Sequence, residues 1–226
     1  MTSTNDVCRL TPEIPLPTLQ RLPVYARFLA EAIERGTSYV SSKQLGEAAD
    51  VPPAQVRKDL SFLTSAGRPG VGYPAVPLAI QLDNVLDLGR EKGAALVGVG
   101  NLGRALAVYR GFVTPGLHVT LLFDNDPSKI GLKLGHREIL PFGRFLRLIS
   151  GQGIQVGIVC VPAGAAQDVA DVMVESGIRA IWNFAPVRLR VPDDVYVKNE
   201  DLSAQYAVLS YHLVRLQDGQ AVDPPH

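Results

Sequence analysis

Apolar residues in the first third of the chain recur at helical spacing, and this pattern predicts three short helices. The first begins after Pro23, because the preceding residues are polar and rich in proline, and we expect residues 1–20 to form a mobile lead-in. Its apolar stripe consists of Val24, Phe28, Leu29, Ala32 and Ile33. Gly36 is placed to end this helix, since glycine adopts the left-handed conformation common there.

Residues that cap helix ends mark the next two helices. Ser41 and Gln44 have the spacing of a capping box, in which each side chain accepts a hydrogen bond from the other residue's backbone N–H. We expect Asp50 to cap the third helix, with Pro52 or Pro53 in its first turn, where a missing N–H costs nothing. The buried stripe of the third helix is Val56, Leu60 and Leu63.

A glycine-rich segment follows these helices. Residues 67–73 contain three glycines and predict a tight hairpin or wing, and a helical segment over Leu78–Leu88 leads to the rest of the chain. Three short helices followed by a hairpin is the order of a winged helix-turn-helix domain. We assign this domain to residues 21–90.

From Ala94 onward, apolar runs alternate with helical patterns. The predicted strands are Ala94–Val99, His118–Asp124, Ile154–Val161 and Ile178–Phe184. The predicted helices between them are Leu102–Tyr109 and Ala165–Ser176. Continuous apolar strands that alternate with helices indicate a parallel sheet covered on both faces. We therefore predict an α/β protein in which residues 91–200 form a Rossmann-like domain.

The last predicted helix, over Leu202–Leu216, has a narrow apolar seam. Its apolar residues are spaced four and three positions apart: Leu202, Tyr206, Leu209, Leu213 and Leu216. This spacing is similar to that of the a and d positions of a coiled coil.

Composition narrows the classes of protein that fit this pattern. Apolar residues make up 46% of the 226, enough for a packed core and too many for extensive disorder. The 22 basic and 22 acidic residues cancel, so attraction to nucleic acid requires a local patch. No apolar run is long enough to span a bilayer, the N-terminal pattern is not that of a signal peptide, and the two cysteines lack metal-ligand spacing. We therefore expect a cytoplasmic protein.

A glycine motif lies where the first predicted strand of the second domain meets its helix. It matches G-x-G-x-x-G and consists of Gly98, Val99, Gly100, Asn101, Leu102 and Gly103. The first glycine permits a tight turn, the second lets the backbone approach a pyrophosphate, and the third allows close packing of helix on strand. The helix N-terminus adds free N–H groups that favour phosphate.

An acidic residue completes the dinucleotide pattern. Asp124 lies 21 positions after Gly103, at the end of the next predicted strand, where it is placed to accept hydrogen bonds from the ribose hydroxyls of an adenosine. Because a carboxylate repels a 2′-phosphate, NAD(H) is favoured over NADP(H). The alternative is a glycine-rich turn with a capping aspartate.

Two further loops follow predicted strands and lie at the edge where open α/β sheets bind ligands. The first contains Val161 and Pro162, and the second contains Asn183 and Phe184. Asn183 is placed to hold a carboxamide and Phe184 to flank a nicotinamide. The alternative is that these are ordinary loop residues.

Polar and basic residues of the third helix suit DNA. Those that lie off its apolar stripe are Gln55, Arg57, Lys58 and Ser61. Arginine recognises guanine edges and glutamine recognises adenine, whereas lysine and serine suit phosphates. Arg68 in the wing is placed to enter a minor groove. Residues 52–73 carry three basic residues against Asp59, a net charge of +2. A small helical domain with a solvated face is the alternative.

The second domain lacks a recognisable catalytic constellation. No histidine lies after a strand beside a carboxylate or lysine that could relay a proton, and Cys160, inside an apolar strand, is expected to be an inert core thiol. This pattern favours a sensor over an enzyme. An NAD-dependent dehydrogenase with an accessory helical domain remains an alternative, as does a protein-interaction or CoA-binding module.

Over residues 20–217 the chain resembles the Rex family of redox-sensing transcriptional repressors. The motifs that carry the resemblance are Arg21-Leu22-Pro23, residues 55–61 (QVRKDLS), Gly70-Val71-Gly72-Tyr73, the glycine motif, Val161-Pro162-Ala163 and residues 183–187 (NFAPV). Pro69 departs from the family, which has a basic residue in the wing there, and so does the segment 63–66.

The resemblance implies a function and a set of residues. It implies a homodimer that binds palindromic operator DNA and is released when NADH replaces NAD+, with the C-terminal helix, 201–218, swapped onto the partner and 219–226 left as a tail. It also implies an interdomain switch made of Arg27, Tyr109 and Asp201. The candidate DNA-contacting residues are Ser42, Lys43, Gln55, Arg57, Lys58, Ser61, Arg68, Gly70 and Tyr73.

Overall fold

The computed structural model describes residues 14–63, 67–112 and 116–218. The chain divides into two compact units, one up to Gly89 and one from Arg90 onward. The predicted tail, Cys8 and most of the predicted lead-in and of the segment 63–66 lie outside the described residues. Within these residues, no helix has the length and apolarity needed to cross a membrane.

The first unit has the predicted order of helices followed by a wing. Its elements are α1 (Leu16–Glu34), β1 (Tyr39–Val40), α2 (Ser42–Ala49), α3 (Pro53–Leu60), β2 (Tyr73–Pro74) and α4 (Ala75–Leu86). Strands β1 and β2 pair antiparallel, and the wing turn is closed by a bridge between Arg68 and Gly72. The predicted stripe of Val56, Leu60 and Leu63 is buried in the core.

Helix α1 begins at Leu16, so the prediction that it begins after Pro23 is wrong. Pro23 lies inside the helix, where it removes one backbone hydrogen bond. The turn before it is nevertheless held by tertiary contacts, because Thr18 and Leu22 are buried. Residues 16–20, which were expected to be mobile, are part of this helix.

The junction of α2 and α3 confirms one prediction and corrects another. Ser41 and Gln44 form the expected capping box. Asp50, however, does not cap α3: it ends α2 in the left-handed conformation (φ 53°), and its N–H donates to the carbonyl of Gly46. Aspartate tolerates this conformation, so it replaces the usual glycine. The residue before α3 is Pro52.

The second unit is a seven-stranded sheet with helices on both faces. Its elements are β3 (Lys92–Val97), α5 (Asn101–Ala107), β4 (Leu117–Asp124), β5 (Lys133–Leu134), β6 (Arg137–Pro141), α6 (Phe145–Ile149), β7 (Ile154–Val159), α7 (Ala163–Glu175), β8 (Ala180–Asn183), β9 (Tyr196–Asn199) and α8 (Leu202–Gln217). The strand order is β5-β6-β4-β3-β7-β8-β9, and all pairs except β5–β6 are parallel.

Two core clusters cover opposite faces of this sheet. Ala95 and Val97 of β3 point towards α6 and α7, whereas Ala94 and Leu96 point towards α5. Chain order along the sheet reverses at β3, and open α/β sheets bind ligands beside such a point. The glycine motif follows β3 directly.

Candidate functional site

The three glycines of the motif have different roles in the turn from β3 to α5. Gly98 has φ 96°, and a Cβ there would overlap the carbonyl oxygen of Cys160 at the end of β7. A Cβ on Gly103 would overlap the carbonyl oxygen of Gly98. By contrast, no atom of the described chain lies within 4 Å of a Cβ built on Gly100, so this glycine faces open space. Gly98 and Gly103 are therefore required by the fold, and Gly100 is not.

Asp124 ends β4 beside this turn and is almost fully buried. Its carboxylate accepts hydrogen bonds from the backbone N–H groups of Val99 (2.8 Å) and Asp126 (2.9 Å). Burial opposes ionisation of Asp124, but these bonds and the ammonium of Lys129 outweigh it and lower its pKa. The group is therefore a fixed negative charge with lone pairs to spare for further donors.

Lys129 is a residue of this edge that the sequence reasoning missed. Its Nζ lies 3.2 Å from Asp124 and 3.5 Å from Asp126. Lys129 lies five residues after Asp124, beyond a turn, so its proximity to the carboxylate is not evident from the strand pattern. One ammonium against two carboxylates leaves this corner net negative.

The loops after β7 and β8 lie at the same edge of the sheet. Pro162 is exposed and precedes α7, and a Cβ on Gly98 would contact the side chain of Val161 at 2.9 Å. Phe184 is half-buried and packs against the indole of Trp182, with ring centroids 5.1 Å apart. The structure thus brings the glycine turn, Asp124 and both loops to one edge.

Asn183 has a structural role in its loop. Its side-chain amide is fully buried and donates to the carbonyls of Ala185 (3.3 Å) and Val187 (2.7 Å) and to the side chain of Asn199 (2.8 Å). Its oxygen accepts from the N–H of Ala185. With both amide hydrogens engaged, Asn183 shapes the loop, and the structure does not support its predicted contact with a carboxamide.

A groove of about 910 Å³ lies at the opposite edge of the sheet, where the strands begin. It is lined by the first residues of β3, β4 and β7 and by Tyr109 and Arg137. Since ligands of open α/β sheets bind at the carboxyl edge, we assign the candidate dinucleotide site to the glycine turn rather than to this groove.

The exposed face of α3 is basic, as predicted. Arg57 and Lys58 are exposed, and Arg57 donates to the hydroxyl of Ser42 at the start of α2 (3.3 Å). Lys43 on α2 is exposed, as are Arg68 and Gly70 in the wing turn. Ser61 is exposed and donates to the carbonyl of Lys58.

Asp59 does not belong to this face, and Gln55 is hydrogen-bonded to it. Asp59 is fully buried and accepts two hydrogen bonds from Arg21, both 2.7 Å. It accepts further bonds from Gln55 (2.9 Å), Tyr25 (2.8 Å) and Thr18 (2.9 Å). Burial opposes ionisation of Asp59, but these donors, Arg21 first among them, lower its pKa to about 2. Gln55 is half-buried and bonded to Asp59, and its contact with DNA stays a prediction.

Burial of Asp59 changes the charge that residues 52–73 expose. Asp59, the acidic residue of this segment, is paired with Arg21 inside the unit, so the described residues of 52–73 expose Arg57, Lys58 and Arg68 without an exposed carboxylate of the same segment. The burial of Asp59 could have been predicted from the sequence, because Asp59 lies three residues after Val56, on the buried stripe of α3.

Tyr73 is likewise a core residue. Its side chain is 8% exposed, and its ring lies beneath Gly67, where a Cβ would be 2.8 Å away. Pairing of β2 with β1 turns this ring inward. The prediction that Tyr73 contacts DNA is therefore corrected, and the wing offers Arg68 and Gly70 instead.

The three residues of the implied switch lie on separate elements. Arg27 is exposed on α1, and Tyr109, 59% exposed, lies two residues beyond the end of α5 rather than within it. Asp201 caps α8, accepting from the N–H groups of Ser203 and Ala204.

Both units of this chain match proteins of known class. Residues 13–61 match a family model described as "Putative DNA-binding protein N-terminus", and residues 90–187 match the CoA binding domain. The chain is 45% identical over 204 residues to the redox-sensing transcriptional repressor Rex of Chloroflexus aurantiacus, covering 90% of this chain and 96% of that protein. The chain belongs to the Rex family. Its identity to Rex of Desulforamulus reducens is 42% over 201 residues, with coverage of 89% and 96%.

Solved structures of a Rex-family repressor have the same fold. RSP in complex with β-NAD+ and operator DNA is 34% identical, with a TM-score of 0.84 and coverage of 93% of this chain and 100% of that one. RSP in complex with β-NADH is also 34% identical, with a TM-score of 0.80 and coverage of 91% and 97%. The predicted order of a DNA-binding domain and a Rossmann-like domain is confirmed. Membership of a family of repressors also agrees with the prediction of a non-enzyme.

Proposed function

We propose that this Rex-family chain represses transcription as a homodimer that binds palindromic operator DNA and releases it when NADH replaces NAD+. One observation carries the proposal: a single chain combines a basic face on a winged helix-turn-helix with an open glycine turn at the ligand edge of a Rossmann-like sheet. One relative, the Rex-family repressor RSP, is 34% identical to this chain and has been solved in complex with β-NAD+ and operator DNA and in complex with β-NADH. A repressor of this kind acts in the cytoplasm.

The residues at the glycine turn fit a dinucleotide. The open space beside Gly100 admits a pyrophosphate against the backbone of Gly98–Gly103, and Asp124 keeps lone pairs for ribose hydroxyls. The loops of Pro162 and Phe184 flank the position of the nicotinamide. When bound, the nicotinamide supplies a ring that is positively charged in NAD+ and uncharged in NADH.

The charge at the adenosine end favours NAD(H) over NADP(H). Lys129 is engaged by both Asp124 and Asp126, so the corner keeps a net negative charge. A 2′-phosphate placed there would be repelled at short range, where screening by salt is weakest.

Helix α8 supplies the dimer contact. In the described chain none of its residues is buried, and its exposed apolar side chains include the predicted seam. A contiguous exposed apolar patch on a helix marks an interaction site. A second copy is the occupant we propose, because an a/d-like seam packs on the same seam or on an apolar surface of its partner. The helix is swapped onto that partner.

A dimer places two copies of α3 on one duplex. Arg57, Lys58 and Arg68 of each copy contact phosphates and base edges, and two recognition helices match half-sites one helical turn, or a multiple, apart. NADH or NAD+ changes the spacing of the two α3 helices only if it binds one arrangement of the dimer more tightly than the other. Moving the dimer from mostly bound to mostly released takes roughly 5 kcal/mol, summed over both cofactor sites.

The test is operator binding at several ratios of NADH to NAD+, measured by fluorescence anisotropy at fixed salt. We expect affinity to fall as NADH rises, and Arg57→Ala with Lys58→Ala to remove DNA affinity while NADH affinity is retained. Arg35→Ala, an exposed arginine at the end of α1, is the matched control. Equal DNA affinity in NADH and NAD+ would contradict the switch, and steady turnover of NADH would favour a dehydrogenase.

A further inference from the structure

Four aromatic rings form a continuous chain on the α5 face of the sheet. The ring centroids of Tyr109 and Phe112 are 5.0 Å apart, and those of Phe112 and Trp182 are 5.3 Å apart. Phe184 continues the chain at 5.1 Å from Trp182. At these spacings aromatic rings attract one another, and Phe112, Trp182 and Phe184 also pack on the core of this face.

The chain of rings crosses the sheet from one edge to the other. Phe184 follows β8 at the edge of the glycine turn, in the loop that Asn183 shapes. Tyr109 lies at the opposite edge, where it lines the groove together with the first residues of β4, Leu117 and His118. The rings thus connect the proposed nicotinamide position with an exposed tyrosine on the far side of the sheet.

Trp182 is the point at which this row of aromatic rings branches. Besides its two ring contacts, its Nε1 donates to a carboxylate oxygen of Glu200 at 3.3 Å. Glu200 in turn donates its backbone N–H to the carbonyl of Asn183 (2.8 Å), and the next residue, Asp201, caps α8. One indole therefore contacts the ring beside the cofactor loop, the ring that leads to Tyr109, and the residue that precedes α8.

We propose that Trp182 is a positioning residue that couples the state of the nicotinamide to Tyr109 and to the start of α8; this inference rests on the proposed function. The positive charge of NAD+ is attracted to the face of an aromatic ring, and NADH lacks it, so the two forms act differently on Phe184. Because the rings are in contact and protein interiors are close-packed, a shift of Phe184 is accommodated by the indole. An indole that shifts carries Phe112 and Glu200 with it.

The test separates cofactor binding from its effect on DNA. For wild type and variants, we define the response as the operator Kd in NADH divided by that in NAD+. Trp182→Leu is expected to lower this response by roughly 2- to 30-fold, the range for residues that carry coupling between sites. Its NADH affinity stays within about twofold of wild type, because the side chain lies outside the glycine turn. Trp182→Phe, which keeps a ring, restores most of the response.

Two further variants test the role of Trp182 independently. Phe112→Leu breaks both contacts of the middle ring, and it carries the test if Trp182→Leu fails to fold in a thermal melt. Phe142→Leu is the matched control, because that ring packs on Phe145 on the other face and should leave the response unchanged. A wild-type response in both Trp182→Leu and Phe112→Leu overturns the role of Trp182 and leaves the proposed function standing. A wild-type protein without any response overturns both.

Discussion

The guanidinium of Arg21 forms a two-pronged ion pair with the buried carboxylate of Asp59, with both N–O distances at 2.7 Å. This pair fastens α3, which carries the basic face, to α1. The orientation of α3, the helix proposed to read DNA, is therefore set by a charged interaction in the core of the first unit.

We expect Asp59→Asn to destabilise the first unit by about 3–5 kcal/mol, because it leaves the charge of Arg21 without its buried partner. The measurement is hydrogen exchange of peptides from α1 and α3, which reports on this unit separately from the other. Glu47→Gln is the control: it removes an exposed pair with Lys43 and should cost roughly 0.5 kcal/mol or less. Equal protection of α1 and α3 from hydrogen exchange in Asp59→Asn and Glu47→Gln would contradict the role of Asp59.

Because of the same ion pair, the stability of the first unit is expected to depend on pH. The pKa of Asp59 is lowered to about 2 in the folded chain, below its unfolded value. The stabilisation is therefore fully present above the unfolded pKa of about 4 and is lost as pH falls towards 2, for a total of roughly 2 kcal/mol. Hydrogen exchange of α1 and α3 between pH 5 and 2 should show this loss, taken from the free energies of opening after correction for intrinsic rates. Asp59→Asn should lack it.

Gly100→Ala is expected to leave the melting temperature unchanged and to weaken NADH binding about tenfold or more, a loss of about 1.4 kcal/mol. The added methyl group meets no protein atom of the described chain, but it occupies the space assigned to the pyrophosphate. NADH fluorescence titration measures the effect. Gly143→Ala, also in open space, is the matched control. Undiminished NADH affinity in Gly100→Ala would place the cofactor elsewhere.

Asp124→Asn is expected to relax the choice between cofactors. The substitution removes a negative charge and releases Lys129 from its shorter ion pair, which leaves a cation close to the ribose position. The ratio of the NADPH Kd to the NADH Kd should fall about tenfold or more, which corresponds to about 1.4 kcal/mol. Asp126→Asn, further from the turn, should change this ratio less. An unaltered ratio would argue against contact of Asp124 with the ribose.

Leu209→Glu on α8 is expected to convert the proposed dimer to a monomer, because it buries a charge in the proposed seam. Sedimentation velocity measures the mass, and operator affinity should fall with it, since a monomer occupies one half-site. Leu132→Glu, which changes an exposed leucine of the same unit outside α8, is the control. A variant that stays dimeric would exclude the seam as the main contact.

Regular patterns in the sequence predicted most of the fold. The capping box at Ser41 and the buried stripe of Val56 each lie within a single helix, where the spacing of residues along the sequence determines the local pattern. Pro23 was misleading because tertiary burial of Thr18 and Leu22 outweighs the local cost of proline. Strands β5, β6 and β9 were missed, since they are two to five residues long and partly exposed.

Side-chain direction within the sites was harder to predict. Gln55 and Asn183 were assigned to ligands because their chemistry suits a base or a carboxamide, yet both satisfy partners inside the protein. Those partners, Asp59 and Asn199, are close in space but are set by helix packing and strand pairing rather than by the local pattern. By contrast, Gly98 and Gly103 were predictable, because only a residue without a side chain fits there.

The single thiol of the described chain lies where β7 meets the glycine turn, and burial raises the pKa of Cys160 to about 12. Oxidants such as peroxides react with thiolates, and at neutral pH this sulfur stays protonated. We therefore expect peroxide and disulfide reagents to react slowly with Cys160, which lies at the turn proposed to hold the dinucleotide. A response to oxidants through Cys160 is therefore not expected, and the proposed response to NADH and NAD+ is separate from peroxide chemistry at this turn.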